Sequence, residues 1–232
     1  MSARVAPRVA IVFGGSRGIG AAIASRLARD GFDVALTYVS RPDRASDLVS
    51  AIEDIGRRAI AVRADSADPA AIRNAVAETV ERLGTLDVAV VNAGVLRRAL
   101  VEAFTLEDLD LMLDVNVRGV FLAIQASVAR MHDGGRVVTI GSNTAVRTGS
   151  VATMVKGIAL DLAPRQITVN NVQPGPTETD MTAAMAARLR EVIPVGRMGQ
   201  PDEIAALVSY LAGPEAGYMT GASLTIDGGY VL

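Results

Sequence analysis

The chain has 232 residues, half of them apolar but only 3% aromatic, with 25 acidic and 23 basic groups, a net charge of −2 and a pI near 5.5. That balance leaves no electrostatic footprint for nucleic acid, and the absence of cysteine with a single histidine excludes a disulfide framework, a thiolate metal site and a histidine metal cluster. A core drawn mainly from Ala, Val, Ile and Leu, in a chain long enough to cover a sheet on both faces, favours parallel strands between helices over an aromatic-rich β-sandwich.

The residues around Arg4 and Arg8 show no apolar core of signal-peptide length. No apolar run approaches the roughly 20 residues that a bilayer crossing needs, so no membrane association and a soluble cytoplasmic protein are expected. Residues 9–12, Val-Ala-Ile-Val, form a short buried-strand run. After them come the glycine-rich residues 13–20, and then Ile19, Ile23, Leu27 and Ala28 at helical spacing, with Asp30-Gly31 as a stop. A glycine-rich turn that opens a helix directly after a strand offers backbone N–H groups and the positive end of a helix dipole to an anion, most often a nucleotide phosphate. Glycine is needed where a side chain would block the turn or the approach of the phosphate.

The alternation continues to the other end. Residues 33–38, 58–63, 86–91, 136–140, 167–172 and 222–226 read as strands. Residues 42–55, 68–84, 105–131, 151–163 and 201–211 read as helices, with Asp68-Pro69 starting one and Thr105 and Ser150 placed to cap two others. His132 falls at the end of the helix that runs to about Met131, as a solvent-facing residue near the negative end of its dipole. No linker, low-complexity tract or internal repeat interrupts the pattern. The expectation is one α/β domain over residues 1–232: a Rossmann fold whose seven-stranded parallel sheet is doubly wound, with helices on both faces.

Ligands of such sheets bind outside the carboxyl ends of the strands, near the switch in strand order. Those ends offer the glycine turn, residues 38–41, Ala64-Asp65-Ser66, Asn92-Ala93-Gly94, Gly141-Ser142 and Gln173-Pro174-Gly175. All are small, polar or turn-forming.

In this arrangement the chain resembles the short-chain dehydrogenase/reductase family over nearly its whole length. The resemblance is carried by the G-x-x-x-G-x-G turn of residues 14–20, by Asp65, by Asn92-Ala93-Gly94, by Asn116 within Asp-Val-Asn-Val-Arg-Gly, by Ser142 and by Pro174-Gly175 followed by Thr177, Thr179 and Met181. The tail from Gly196 to Gly229 is similar to that of 3-oxoacyl-[acyl carrier protein] reductases. Residues 14–23, 65–68 and 90–94 also resemble the cyclic-di-GMP-binding biofilm dispersal mediators of the same fold.

The resemblance implies that Gly14, Ser16, Arg17, Gly18, Ile19 and Gly20 face the phosphates of a nicotinamide cofactor, Asp65 and Ser66 its adenine edge, and Asn92, Ala93 and Gly94 its adenosine ribose. Pro174, Gly175, Thr177 and Thr179 would hold the nicotinamide side, with Asn116 and Ser142 in the proton relay and substrate-orienting roles. It implies a carbonyl, alcohol or acyl-thioester substrate, and a homotetramer or homodimer built on the helices at 106–131 and 151–163. Phe13 and Val91 replace the family's threonine and first asparagine.

An NAD-selective site needs a carboxylate about 20 residues beyond the glycines, to accept from the ribose 2′-OH and repel a 2′-phosphate. Tyr38, Ser40 and Arg41 stand there, and no acid does; Asp33 lies at the wrong end of its strand. Arg17 and Arg41 provide guanidinium forks suited to a phosphate, so NADP(H) is expected over NAD(H).

The family's proton donor is a tyrosine whose pKa is lowered by a lysine four residues on. None of the four tyrosines, Tyr38, Tyr210, Tyr218 and Tyr230, follows Ser142 at that spacing, and the lone lysine, Lys156, has Ala152 four residues before it. Residues 155–165 match the later part of the family's helix, which makes Lys156 a surface residue. Counted back from there, about 11 or 12 residues of the pattern, both catalytic groups included, have no counterpart between Ser150 and Val151. About three or four more are short near residues 182–184, in the substrate lid. Both shortfalls coincide with the family's mobile active-site loops, and the complete protein is expected to carry the segment. Without it, the dinucleotide cleft would remain and reduction by the family's mechanism would fail, leaving a nucleotide-binding regulatory protein as the alternative.

Overall fold

In the computed structural model, which describes residues 7–97, 100–143 and 150–231, the strand β1 (Val9–Phe13) is buried throughout and lies inside a seven-stranded sheet. The other strands are β2 (Asp33–Tyr38), β3 (Ala59–Arg63), β4 (Leu86–Val91), β5 (Met131–Ile140), β6 (Thr168–Pro174) and β7 (Ser223–Ile226). Their order is β3-β2-β1-β4-β5-β6-β7 and every pair is parallel. The chain moves outward from β1 to β3 and then returns to the other side of β1 with β4. The crevice at the carboxyl ends of β1 and β4 is therefore the switch point. The Ser150 cap expected above rests on a side chain outside the described residues, as does the segment around Arg4.

Among the described residues there are eight α-helices, α1 (Gly18–Arg29), α2 (Pro42–Asp54), α3 (Pro69–Leu83), α4 (Leu106–Leu113), α5 (Val120–Val128), α6 (Ser150–Leu162), α7 (Ala186–Val192) and α8 (Pro201–Ala212). Successive side chains of a strand point to opposite faces, so β1 feeds two cores. Val9, Ile11 and Phe13 pack with Ile72 and Val76 of α3, Val120 and Ile124 of α5 and Val155 and Ala159 of α6. Ala10 and Val12 pack with Ile23 and Leu27 of α1 and Val208 and Leu211 of α8. Both faces being covered, β1 is apolar without alternation and so is β4 but for Asp87 near its start. Asp68 and Thr105 cap their helices, accepting from the N–H groups of Ala70 at 2.7 Å and Asp108 at 3.1 Å.

Three elements differ from the pattern read in the sequence. The helix expected to reach Met131 ends at Val128, and Met131 already pairs with Leu86 as the start of β5. Between Met131 and Arg136 the strand bulges, since only Asp87 separates their partners Leu86 and Val88. Gly134 takes φ +83° there, and a Cβ on Gly135 would lie 2.3 Å from the Met131 sulfur. His132 is exposed in this bulge instead of at a helix end, its Nε2 3.0 Å from Asp87. Second, α7 has no buried residue, and so no apolar stripe by which a sequence pattern could mark it. Third, residues 106–128 form a continuous helical stretch long and apolar enough, by length and composition alone, to cross a bilayer, contrary to the expectation above. That stretch packs against α3, β4 and β5 as a layer of the fold.

Asp33, at the amino end of β2, is 1% exposed. It accepts from the Arg58 backbone N–H at 3.1 Å, from Arg58 Nε at 2.7 Å and from Arg57 Nη2. Arg58 also donates to the last carbonyls of α3, Arg82 at 3.2 Å and Leu83 at 2.7 Å. Burial pushes the Asp33 carboxyl up, but the Arg58 N–H and the two guanidiniums outweigh it and hold the group below its ordinary value. A depressed carboxylate stabilises the fold above its unfolded pKa, and that contribution is lost as pH falls through the folded one. Asp33→Asn should cost about 2–4 kcal/mol at neutral pH. In denaturant titrations from pH 7 downward, the loss of stability below about pH 4 should be shallower in the variant than in the parent. Equal slopes would mean that Asp33 does not carry this acid sensitivity.

Candidate functional site

The glycine turn is held from two sides. The Gly14 N–H donates to Thr37 Oγ1 at 2.9 Å and the Gly15 N–H to the Thr37 carbonyl at 2.9 Å, which ties the turn to β2. From β4, Asn92 Nδ2 donates to the Gly14 carbonyl at 2.8 Å. Phe13, where the family has threonine, is 1% exposed and serves the core. The turn leaves no room for side chains: a Cβ on Gly14 would lie 2.8 Å from Ala93 Cα, and one on Gly20 would lie 2.2 Å from the Gly14 carbonyl oxygen and 2.5 Å from Asn92 Nδ2. Gly14 and Gly18 take φ +71° and +53°, which side chains disfavour.

At the start of α1 the N-cap residue, Arg17, makes no side-chain cap, and no acid stands in the first turn. The orphan N–H groups and the dipole of that end are open to an anion. Beside them lies an open cleft of about 660 Å³, bounded by Ser16, Arg17 and Gly18, by Arg44 and Asp47 of α2, and by Glu178, Thr179 and Asp180 after β6. Its size suits a small-molecule ligand.

The structure brings Ser16, Arg17, Gly18 and Thr179 together in this cleft, with Thr179 Cγ2 only 3.3 Å from where a Gly18 Cβ would stand. Tyr38, Ser40 and Arg41 lie at the end of β2 next to it, but Arg41 is turned onto Asp43. Its Nη2 is 2.7 Å from one carboxylate oxygen and its Nε 3.1 and 3.2 Å from the two, and this guanidinium holds the Asp43 carboxyl down to about 2. Asp65 closes its own turn by accepting from the Ala67 N–H at 2.9 Å. The Ser66 carbonyl sits where a Cβ on Gly119 would reach, 2.2 Å away.

Asn116 lies in a π-helical segment, Asp114–Gly119, between α4 and α5. Its side chain clamps the loop after β4, donating to the Val95 carbonyl at 2.8 Å and accepting from the Val95 N–H at 2.9 Å. Ser142 follows β5 by two residues. Its neighbour Asn143 is buried, donates its N–H to the Pro174 carbonyl at 3.0 Å, and reaches Asp227 with its amide at 3.2 Å. Asp227 also takes the N–H groups of Gly229 and Val231. Gly175 is glycine because a Cβ there would stand 2.4 Å from Asp227 Cβ. Lys156 is exposed on α6. No metal-holding cluster of His, Cys, Asp or Glu occurs among the described residues.

Thr37, Asn143, Arg44 and Asp180 are not marked as site residues by the sequence: Thr37 and Arg44 sit within the expected second strand and the helix after it, and Asp180 within the family stretch at 177–181, but each acts through a partner distant in the chain.

A doubly wound sheet with an anion-ready helix terminus at its switch point defines a Rossmann-type protein. The profile described as enoyl-(acyl carrier protein) reductase matches residues 14–231. The chain is 39% identical to the cyclic-di-GMP-binding biofilm dispersal mediator protein of Escherichia coli (strain K12), over 96% of this chain and 97% of that protein. It is 35% identical to the 3-oxoacyl-[acyl-carrier-protein] reductase of Staphylococcus aureus (strain Mu50), over 96% and 98%. A short chain dehydrogenase from Burkholderia cenocepacia J2315, crystallised in complex with NADP, superposes with a TM-score of 0.95 at 46% identity, covering 99% of this chain and 100% of the other. The chain belongs to the short-chain dehydrogenase/reductase family, a family of oxidoreductases.

The turn itself can be tested without a ligand. Gly20→Ala should lower stability by about 2–4 kcal/mol, because the methyl group must displace backbone. Thr37→Val, which orphans the Gly14 N–H, should cost about 1–2 kcal/mol. Thermal unfolding reads both, and a Gly20→Ala midpoint within about 1 °C of the parent would contradict the close packing.

Proposed function

We propose that the protein is an NADP(H)-dependent oxidoreductase of the cytoplasm that reduces the carbonyl of a small ketone or 3-oxoacyl thioester to an alcohol. The observation that carries this reading is the uncapped α1 terminus, which opens beneath three side-chain-free glycines onto a cleft holding Arg17. These residues fit a dinucleotide: bare Gly14 and Gly20 let the turn close onto Asn92-Ala93, which aims the uncapped N–H groups of α1 at the cleft. A bound nicotinamide supplies the hydride.

The chain's own groups do the rest. Ser16, Gly18 and Ile19 present N–H groups to the phosphates, while Asp65, Ser66 and Asn92 to Gly94 take the adenosine end. Pro174, Gly175, Thr177 and Thr179 take the nicotinamide side. Ser142 orients the substrate oxygen, and Asn116 positions the water of the proton relay by fixing the loop at Val95. NADP(H) is favoured over NAD(H) because Arg17 makes no ion pair among the described residues, no acid ends β2, and Asp33 is locked at the sheet's opposite end.

The proton donor is assigned to a Tyr-x-x-x-Lys segment between Ser150 and Val151 of the complete protein. In support, the alignment with the S. aureus reductase runs over 240 positions but takes in 96% of the 232 residues, about 223. The difference, 240 less 223, leaves about 17 positions of that alignment without a residue of this chain. A homotetramer or homodimer is supported by exposed apolar groups on the outer helices, among them Leu106, Leu113, Phe121 and Leu160. A second reading, a regulatory protein binding NADPH or cyclic di-GMP without turnover, is favoured by the outward Lys156 and the absent tyrosine.

Intact mass and calorimetry separate these readings. A mass of 24.1 kDa would remove the inserted segment and leave the second reading, whereas a mass larger by about a dozen or more residues agrees with the first. NADPH should bind more tightly than NADH, and Arg17→Ala should weaken NADPH about tenfold without affecting NADH. Undetectable NADPH binding would overturn the reductase, and cyclic di-GMP binding in its place would identify the regulator.

A further inference from the structure

Arg44, in the first turn of α2, and Asp180, in the segment after β6, are 136 residues apart in the chain, and their side chains meet at 2.8 Å beside the cleft that both help to line. Asp180 sits where cationic groups converge. The Arg44 hydrogen bond, followed by the more distant charges of Arg17 and Arg41, holds its carboxyl below the ordinary value. Arg41 has its own anion in Asp43, so the guanidiniums of the cleft itself are Arg17 and Arg44, and a carboxylate from the β6–α7 segment now answers them.

That segment is the one lying on the glycine turn, with Thr179 against Gly18. It is fastened behind Asp180 by Thr182, whose Oγ1 accepts from the Thr179 N–H at 3.1 Å and donates to the Thr177 carbonyl at 2.5 Å. Glu178 is fastened too, by Arg190 at 2.8 Å and by its N–H to the Gly199 carbonyl at 2.9 Å. On the cleft side, the Arg44 pair is the one ion pair that ties the segment to α2 among the described residues. It is an exposed pair, of the kind that exchanges partners at little cost. A phosphate monoester carries up to two charges and three acceptor oxygens, and outbids one carboxylate for a guanidinium fork.

Building on the reading of the cleft as an NADP(H) site, we propose that Asp180 is an internal stand-in for the cofactor's 2′-phosphate. It holds Arg44 across the cleft until that phosphate takes the guanidinium, so that Arg44 is a specificity residue.

Calorimetry with NADP⁺, NAD⁺ and 2′,5′-ADP tests this. Arg44→Gln should weaken NADP⁺ and 2′,5′-ADP about tenfold and leave NAD⁺ unchanged. Asp180→Asn should tighten NADP⁺ and 2′,5′-ADP by about two- to fivefold and leave NAD⁺ unchanged. Asp47→Asn removes another acid from the same cleft but none that holds Arg44, and should tighten NADP⁺ less than Asp180→Asn does, which separates the Arg44 pair from a general charge effect. If the parent binds NADP⁺ and neither Arg44→Gln nor Asp180→Asn changes its affinity relative to NAD⁺, this proposal falls and the reductase reading stands. If the parent binds none of the three nucleotides, both fall.

Discussion

The cleft depends on one close approach of backbone to backbone, between Gly14 at the end of β1 and Asn92-Ala93 at the end of β4. Ala93 Cα occupies the space that a Gly14 side chain would need, and Asn92 reaches through to the Gly14 carbonyl. Because Gly20 is also bare, the first turn of α1 can close onto the same carbonyl. The helix start is thereby aimed across the switch point, its N–H groups turned outward instead of spent on a cap. Thr37 completes the brace from β2, so that three neighbouring strands fix the position of one anion-binding end.

Charge is divided between the two ends of the sheet. At the amino ends, Asp33 is buried and saturated by Arg57 and Arg58, and it works as a clamp joining β2, β3 and the end of α3. At the carboxyl ends, the pairs Arg41–Asp43 and Arg44–Asp180 lie in solvent. A buried carboxylate with its donors in place is costly to disturb, whereas exposed pairs are screened and readily exchanged. The same residue types thus hold the fold at one end and remain available to a ligand at the other.

Binding and chemistry are also separable in this chain. The cleft is braced by contacts that involve no proton donor: Thr37 and Asn92 hold the glycine turn, Asn116 clamps the β4 loop, and Asn143 joins Asp227. The lone lysine faces solvent, and no tyrosine stands at the family spacing. The frame draws its rigidity from the sheet core and is indifferent to the proton donor, which is why one scaffold can suit a reductase or a nucleotide sensor.

Much of this was legible in the residues themselves. The apolar runs of β1 and β4, the helical stripes of α1 and α6, the capping Thr105 and the glycine turn are local patterns, each set by a period of two or 3.6 or by the steric needs of one turn. The family pattern added Asn116, Ser142 and the strand-end loops. Tertiary structure alone decided what no local period encodes. The bulge that begins β5 at Met131 arises from pairing with Leu86, and α7 forms without an apolar face. Thr37 braces a turn 23 residues away, Asn143 reaches Asp227 across 84, and Arg44 meets Asp180 across 136. Polar side chains such as these carry no periodic signature. Their partners are chosen by which strand ends the sheet order brings together, and so the sequence by itself determined where an anion can bind, while the fold decided which charges surround it.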